Sequence, residues 1–268
     1  MVRSRALFVV CTILGCLGFV TSAPAGELRI GGTGAATAVL QQAATAFARK
    51  HGTRVNVIAS LGSSGGIRAV GDGVLDLAVS GRPLKPDEEA KGLVVALVAR
   101  TPFVIATAHP KPGSIAAAAL PDMFSAMTPT WSDGTPIRVI LRPRSESDTT
   151  LLGELFPGVA AALEKARRRP DIPMAATDQD NADMAEKIPG SLVGSTLVQL
   201  VAERRQLRSV AIDGIVPTLE DFERGVYPYG KPLYFVVGRA PSPLVEEFLN
   251  FLRSPEGTEL LRAAAVIL

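Results

Sequence analysis

Three short turns rich in glycine, serine and threonine each precede an apolar stretch with helical spacing. They are residues 31–34 (GGTG), residues 62–66 (GSSGG) and residues 145–150 (SESDTT). The start of a helix leaves backbone N–H groups unpaired and carries the positive end of the helix dipole, so such a turn holds an anion with almost no formal charge. Three of these turns in one chain favour a receptor for an oxyanion.

The first 25 residues have the features of a secretory signal peptide. Two arginines precede an almost wholly apolar run over residues 6–20, and residues 23–25 fit the small-x-small cleavage pattern. We therefore expect a secreted or periplasmic protein that begins near Gly26. A competing interpretation is lipid anchoring at Cys16. Because Cys11 and Cys16 both lie in this segment, a protein that begins near Gly26 would contain no disulfide bond.

Charge is nearly balanced, with 28 lysines and arginines against 26 aspartates and glutamates. This balance argues against nucleic acid as the main partner. Asp178, Asp180 and Asp183 could form an oxygen-rich cation site, but without an EF-hand spacing we favour acids at the start of a helix. We expect a monomer with no cofactor, no metal ion and no catalytic residue.

Strand-like and helix-like segments alternate along the chain, which predicts an α/β fold with a largely parallel sheet. The clearest predicted strands cover residues 54–58, 75–79 and 103–107. The clearest predicted helices cover residues 35–50, 178–187 and 243–253. A stretch with proline and glycine at residues 109–113 suggests a boundary between two lobes.

Residues 31–84 resemble the phosphate-binding proteins of bacterial ABC importers. The similarity lies in GTG at 32–34, RVNV at 54–57, GSSGGIR at 62–68 and LDLAVSGRPL at 75–84, and IPGSLVG at 188–194 resembles a later segment of that family. The resemblance implies a two-lobed, type II periplasmic-binding-protein fold, in which each lobe is a mostly parallel sheet flanked by helices and the chain crosses twice between lobes. Lobe 1 would comprise residues 26–107 and 231–268, and lobe 2 residues 108–230.

The resemblance also implies which residues hold the oxyanion. In the family these are a hydroxyl and amides of the first turn, a serine of the second, and an arginine with a Ser-Gly-Thr sequence in the second lobe. The matching positions in this chain are Thr33, Gly34, Ser63, Ser64, Arg142 or Arg144, Ser147, Asp148 and Thr149.

Two positions depart from the family pattern. An acid that accepts a proton from bound phosphate in the family falls at Gly81, and the family's Ser-Gly-Thr becomes Ser147-Asp148-Thr149. Without the acid, lobe 1 should discriminate less against sulfate-like dianions. Asp148 could restore the discrimination from the opposite lobe, or it could cap a helix that begins at Thr149, which we favour.

We therefore expect capture of a small oxyanion, with phosphate as the leading candidate, for uptake through an ABC permease. An alternative is a receptor for a sulfate-, molybdate- or tungstate-like anion, or for a small organic acid, that acts on a membrane sensor. A third interpretation is a secreted serine hydrolase, because residues 62–66 fit G-x-S-x-G and His109 follows Ser64. His109 lies too early in the chain for the usual order of that fold, so we consider a hydrolase less favoured.

Overall fold

The computed structural model describes residues 26–268. The signal peptide and the alternative of lipid anchoring at Cys16 fall outside this part of the chain. The strands are β1 (Glu27–Gly32), β2 (Arg54–Ile58), β3 (Leu77–Ser80), β4 (Leu93–Thr107), β5 (Ser114–Ile115), β6 (Arg138–Val139), β7 (Ser191–Thr196), β8 (Arg208–Ser209), β9 (Ala211–Ile212) and β10 (Gly230–Gly238). The helices are α1 (Thr37–His51), α2 (Gly62–Gly71), α3 (Pro86–Ala90), α4 (Leu120–Ser125), α5 (Ser147–Leu155), α6 (Val159–Ala166), α7 (Asp178–Lys187), α8 (Leu197–Ala202), α9 (Leu219–Glu223), α10 (Pro243–Arg253) and α11 (Pro255–Ala263).

The main sheet has the strand order β2-β1-β3-β10-β4-β7-β6, and β8 also pairs with β4. Its outer pairs β1–β2, β1–β3 and β6–β7 are parallel, whereas β10 and β4 in the middle run antiparallel to their neighbours. Helices flank this sheet, and the predicted α/β class is confirmed. The expectation of a largely parallel sheet is wrong, because the pairs β3–β10, β10–β4, β4–β7 and β4–β8 are antiparallel and the sheet is mixed.

Strand β4 connects two hydrophobic cores. Residues 93–102 pair with β10, and residues 103–106 pair with β7. The side chains packed around the first half come mainly from α1, β1, β3, β10 and α10, and those around the second half come mainly from α4, α5, α6 and β7. The chain returns next to this crossing, because Gly230 at the start of β10 pairs with Pro102. The exact lobe limits at residues 107 and 230 stay a prediction.

The strand predicted over residues 103–107 is the second part of a longer strand, because β4 begins at Leu93 and runs through Pro102 without interruption. Pro102 lacks an N–H group, so it cannot donate to a neighbouring strand, and it lies where β4 exchanges one partner for the other. The position without an N–H donor therefore coincides with the point where β4 stops pairing with β10 and begins to pair with β7.

Helix α2 approaches β1 very closely. A Cβ atom at Gly66 would lie 2.7 Å from the Cα atom of Gly32, so only glycine permits this contact. Helix α2 also begins at Gly62, earlier than the apolar spacing from Ile67 suggests. The close contact fixes the first turn of α2 directly beside the end of β1.

Across residues 26–268, none of the helices is long and apolar enough to cross a membrane.

Candidate anion-binding site

The first glycine-rich turn holds a carboxylate from another part of the chain. Oδ2 of Asp178, the first residue of α7, accepts a hydrogen bond of 2.9 Å from the N–H group of Ala35 and one of 3.4 Å from the hydroxyl group of Thr33. The backbone of Gly34 lies against the same side chain, because a Cβ atom there would be 2.7 Å from Oδ2 of Asp178. The turn therefore binds the carboxylate of Asp178, and contact of Thr33 and Gly34 with an external oxyanion stays a prediction.

Arg142 is buried and faces two carboxylates. Its Nη1 atom donates to Oδ1 of Asp178 at 2.6 Å, and its Nη2 atom donates to Oε2 of Glu146 at 2.9 Å. Within the described residues its Nε atom has no hydrogen-bond partner. Arg167 fixes the backbone here, because its Nη2 atom donates to the carbonyl oxygen of Arg142 at 2.6 Å.

The two carboxylates respond differently to burial. Burial alone would raise the pKa of Asp178, but the charges of Lys231 and Arg142 and the hydrogen bonds from Arg142 and Ala35 outweigh it and hold that pKa below its usual value. Burial raises the pKa of Glu146, and Arg142 offsets this only in part because Asp178 and Asp148 add like charge. Glu146 is therefore the carboxylate of this group that takes up a proton more readily.

The second and third turns meet from opposite sides of the cleft. The hydroxyl oxygens of Ser63 in α2 and Ser147 at the start of α5 lie 3.4 Å apart. Ser63 also accepts a 2.9 Å hydrogen bond from the N–H group of Gly81. Two helix N-termini, each carrying a hydroxyl group, thus converge on one position.

Lys231 brings a cation to the same position. Its side chain has no exposed surface, and its ammonium group forms an ion pair with Oδ1 of Asp148. Helix α5 begins at Ser147, its N-cap residue is Glu146, and Asp148 lies inside the first turn. The favoured interpretation of Asp148 as a cap of a helix from Thr149 is therefore wrong, because its carboxylate is directed to Lys231.

Glycine at position 81 makes room for this ammonium group. A Cβ atom at Gly81 would lie 2.5 Å from Cε of Lys231, 3.1 Å from its Nζ and 2.8 Å from the hydroxyl oxygen of Ser147. Any larger residue would force the end of Lys231 to move. Position 81 carries glycine in place of the family's acid, and Lys231, which the turn motifs did not reveal, occupies the space beside it.

A cavity of about 70 Å³ lies between the turns and the start of α7. Its lining includes Gly62, Arg142, Glu146 and Asp178. A water molecule needs roughly 10–15 Å³ of such space, so the cavity has room for a few waters or one small tetrahedral ion. Another cavity beside the second turn, of about 450 Å³, is lined by residues that include Ser64, Arg82 and Lys91 and does not include Arg142 or Asp178.

Three predicted contacts lie away from this position. Arg144 is exposed and forms a two-bond ion pair with Glu164, with N–O distances of 2.8 Å and 2.5 Å. Ser64 is exposed and accepts hydrogen bonds from the guanidinium group of Arg82. The hydroxyl group of Thr149 donates to the carbonyl oxygen of Pro143 at 3.0 Å and so stabilises its own turn. The structure thus distinguishes Arg142, which faces the cleft, from Arg144, which does not.

The hydrolase interpretation has no geometric support. The His109 ring lies against Trp131, with 5.0 Å between ring centroids, and its Nε2 atom is 3.0 Å from Oδ2 of Asp133. Ser64 instead contacts Arg82.

Asp180, one of the three aspartates considered for a cation site, closes a capping box with Thr177. No group of three or more potential metal ligands occurs among residues 26–268.

Sequence reasoning missed several polar and charged residues of the cleft. Lys231, Glu146 and Gln179 were not among the predicted contacts, and Asp178 was assigned only to a helix start. Gln179 links the lobes because its Nε2 atom donates to the carbonyl oxygen of Gly34 at 2.9 Å. One signal in the sequence could have revealed Lys231, because it lies at the start of the apolar strand GKPLYFVVG. A lysine buried in such a strand needs a carboxylate or another polar partner.

A model of the PBP superfamily domain matches residues 20–256. The chain belongs to the PBP superfamily. This result and the fold confirm the resemblance seen in the turn motifs. No curated protein matches the sequence.

Several solved structures share the two-lobed fold. A putative phosphate ABC transporter substrate-binding protein from Clostridium perfringens, solved with bound phosphate, has 19% identity and a TM-score of 0.77 over 90% of this chain and 99% of that one. An ABC-type phosphate transport receptor from Vibrio cholerae has 17% identity and a TM-score of 0.62 over 91% and 100%. A periplasmic molybdate-binding protein from Azotobacter vinelandii has 15% identity and a TM-score of 0.59 over 90% and 99%. The TM-scores show a common fold. At these low identities the likeness extends to the fold alone, and the phosphate and molybdate named above are ligands of those other proteins.

Proposed function

We propose that this member of the PBP superfamily captures a small oxyanion between its two lobes, with phosphate as the first candidate, and delivers it to an ABC permease from the periplasm. The observation that carries the proposal is the meeting of α2 and α5, whose Ser63 and Ser147 hydroxyl groups lie 3.4 Å apart beside buried Lys231. Two positive helix ends and a cation at one position favour an anion.

We assign the external anion to Ser63, Ser147 and Lys231, with Arg142 as the neighbouring guanidinium group. The first turn, with Thr33 and Gly34, borders this position and already holds the carboxylate of Asp178. A guanidinium group suits an oxyanion because its N–H groups form paired hydrogen bonds. Arg144, Ser64 and Thr149 have other partners, so we place them outside the contact set.

Calorimetric titration with phosphate, arsenate, sulfate and molybdate tests this proposal. The protein is first unfolded and refolded so that no co-purified anion remains. We expect saturable binding of at least one anion with one site per chain, and a rise in melting temperature, because the ligand binds only the native state. Absence of binding to all four anions would overturn the proposal.

A pair of serine variants tests the location. Ser147→Ala removes a hydroxyl group in the cleft and should weaken binding of the anion by about 1–3 kcal/mol. Ser145→Ala changes an exposed serine of the same turn and should leave the affinity unchanged. Equal effects of the two substitutions would place the anion elsewhere.

The same site would also serve a receptor that acts on a membrane sensor, because both roles use lobe closure around the ligand. Reconstitution with a candidate ABC permease or a candidate sensor kinase from the same organism separates the two. Anion-dependent stimulation of a permease ATPase supports transport, and stimulation of a sensor kinase supports signalling.

A further inference from the structure

Four buried polar atoms of side chains have no hydrogen-bond partner within residues 26–268. They are Nε of Arg142, Nε of Arg167, Oε1 of Gln179 and Oδ1 of Asn181. Three of these residues, Arg142, Arg167 and Asn181, line one small cavity between α5, α6 and α7, which we call the Asn181 cavity. Buried polar groups are nearly always paired in native proteins, so three unpaired atoms around one cavity indicate a partner inside it.

We propose that the Asn181 cavity binds one water molecule, and that this water positions the guanidinium group of Arg142 for the anion. The water accepts hydrogen bonds from the Nε atoms of Arg142 and Arg167 and donates one to Oδ1 of Asn181. Asn181 and Arg167 are then positioning residues, which act on the anion through Arg142. The water site stands on its own contacts, and its role toward the anion rests on the proposed function.

The size and depth of the cavity fit a single water molecule. Its volume is about 20 Å³, and one water needs roughly 10–15 Å³ of such space. The side chains of Arg142 and Arg167 are only 7% and 6% exposed, and Asn181 is 2% exposed. Bulk solvent therefore does not pair these atoms, whereas a water held inside the cavity can.

The pattern of donors and acceptors selects water over an ion. Nδ2 of Asn181 donates to the carbonyl oxygen of Gly194 at 3.0 Å, so Oδ1 is the amide atom left for the cavity. A chloride ion only accepts hydrogen bonds, and it would lie close to Oδ1 and to Asp148, which also lines the cavity. A metal cation would face two guanidinium groups. Water both accepts and donates, so it satisfies all three atoms.

The water completes the support of Arg142 at its third nitrogen. Nη1 is paired with Asp178 and Nη2 with Glu146, which leaves Nε free to turn unless it has a partner. Arg167 approaches from the other side, because its Nη2 atom donates to the carbonyl oxygen of Arg142. Its own Nε atom lies 3.3 Å from Oε1 of Glu164 without forming a hydrogen bond. Contacts of this supporting kind hold a binding group within about 0.5 Å of its productive place.

A high-resolution structure from a bromide-soaked crystal of the wild-type protein tests the water directly. We expect one peak within about 3.2 Å of both Nε atoms and of Oδ1 of Asn181. The peak should give no anomalous signal at the bromine absorption edge. An empty cavity, or a bromide ion inside it, would overturn the assignment.

Two substitutions at Asn181 separate its acceptor atom from its bond to Gly194. Asn181→Leu and Asn181→Asp both remove the Nδ2 donor, but only Asn181→Asp keeps an oxygen facing the cavity. In rotating-frame NMR spectra, the contact of the Nε proton of Arg142 with a bound water and its exchange with solvent have opposite signs. We expect the contact signal in wild type and in Asn181→Asp, and its loss in Asn181→Leu. Persistence in Asn181→Leu, or loss in both variants, would overturn the role of Asn181.

Calorimetric titration with inorganic phosphate tests the positioning of Arg142. Asn181→Leu should weaken phosphate binding by about tenfold, because the buried Nε atom loses its partner and the guanidinium group loses its fixed orientation. Asn250→Leu makes the same change at an exposed position of α10 and should keep the wild-type affinity. If Asn181→Leu does not fold, the wild-type crystal structure still decides whether the water bridges Arg142 to Asn181.

The outcomes separate this inference from the proposed function. Loss of the water signal with unchanged phosphate affinity in Asn181→Leu would overturn the positioning role and keep the proposed function. Failure of the wild-type protein to bind phosphate or any other oxyanion would overturn the proposed function together with the role toward the anion. The crystal structure of that same protein would then still decide the water site.

Discussion

Asp178 and Ala35 lie 143 positions apart in the sequence, yet the carboxylate of Asp178 accepts a 2.9 Å hydrogen bond from the N–H group of Ala35. The second oxygen of that carboxylate is paired with Arg142 at 2.6 Å. One side chain thus connects the first turn to the guanidinium group of the other lobe. A helix start that holds a carboxylate in this way is already shaped for an anion.

Asp178→Asn should lower the free energy of unfolding by about 3 kcal/mol, because it removes one member of a buried ion pair. The amide oxygen still accepts from Ala35, so the loss reports mainly the charge facing Arg142. Urea unfolding measures the effect. Asp171→Asn breaks an exposed pair with Arg169 and should cost less than about 1 kcal/mol. A similar loss of stability in both variants would contradict a strongly stabilising ion pair between Asp178 and Arg142.

Ser63→Ala should weaken anion binding by about 1–3 kcal/mol, because it removes a hydroxyl group that faces the cleft. Ser64→Ala is the matched control, since Ser64 is exposed and contacts Arg82. Calorimetric titration with phosphate compares the two variants. Unchanged affinity in Ser63→Ala would remove the second turn from the site.

Gly81→Ala should weaken anion binding more than it lowers stability. The new Cβ atom would lie 2.5 Å from Cε of Lys231, and the flexible end of that side chain can move away from it. The ammonium group would then leave its place beside Ser147. Titration and urea unfolding of the same variant separate the two effects, and an affinity equal to wild type would mean that the position of Lys231 is unimportant.

Glu146→Gln should strengthen anion binding more at about pH 8 than at about pH 5. Burial raises the pKa of Glu146 above its ordinary value of 4.5. The sign follows because the charged, repelling form of Glu146 is populated only as pH rises through the raised pKa. Comparison of variant and wild type at each pH cancels the titration of the ligand itself. A gain that is independent of pH would show that Glu146 does not titrate in this range.

The turns and the fold class were accessible from the sequence because they depend on local signals. Helices α7 and α10 have the predicted bounds, since capping residues and apolar spacing determine them. The bounds of β2 are also as predicted. The resemblance added the two-lobed arrangement, which the similarity to the PBP superfamily confirms.

The partners of the charged residues were not accessible, because they depend on how distant segments meet. Arg142 and Arg144 are equivalent in the local sequence, and only the position of Asp178 in α7 distinguishes them. The lysine at 231 occupies the space left by Gly81, which is far away in sequence. A local motif records neither of these long-range contacts.

The pairing of β4 with β10 determines how the lobes can move. Both connections between the lobes pass through one hydrogen-bonded ribbon, with Pro102 opposite Gly230 at the crossing. Separate linkers would let the lobes twist independently, but two strands tied edge to edge share a single hinge axis. We therefore expect opening of the cleft to be a bend of this ribbon, which would separate the hydroxyl groups of Ser63 and Ser147 along one path.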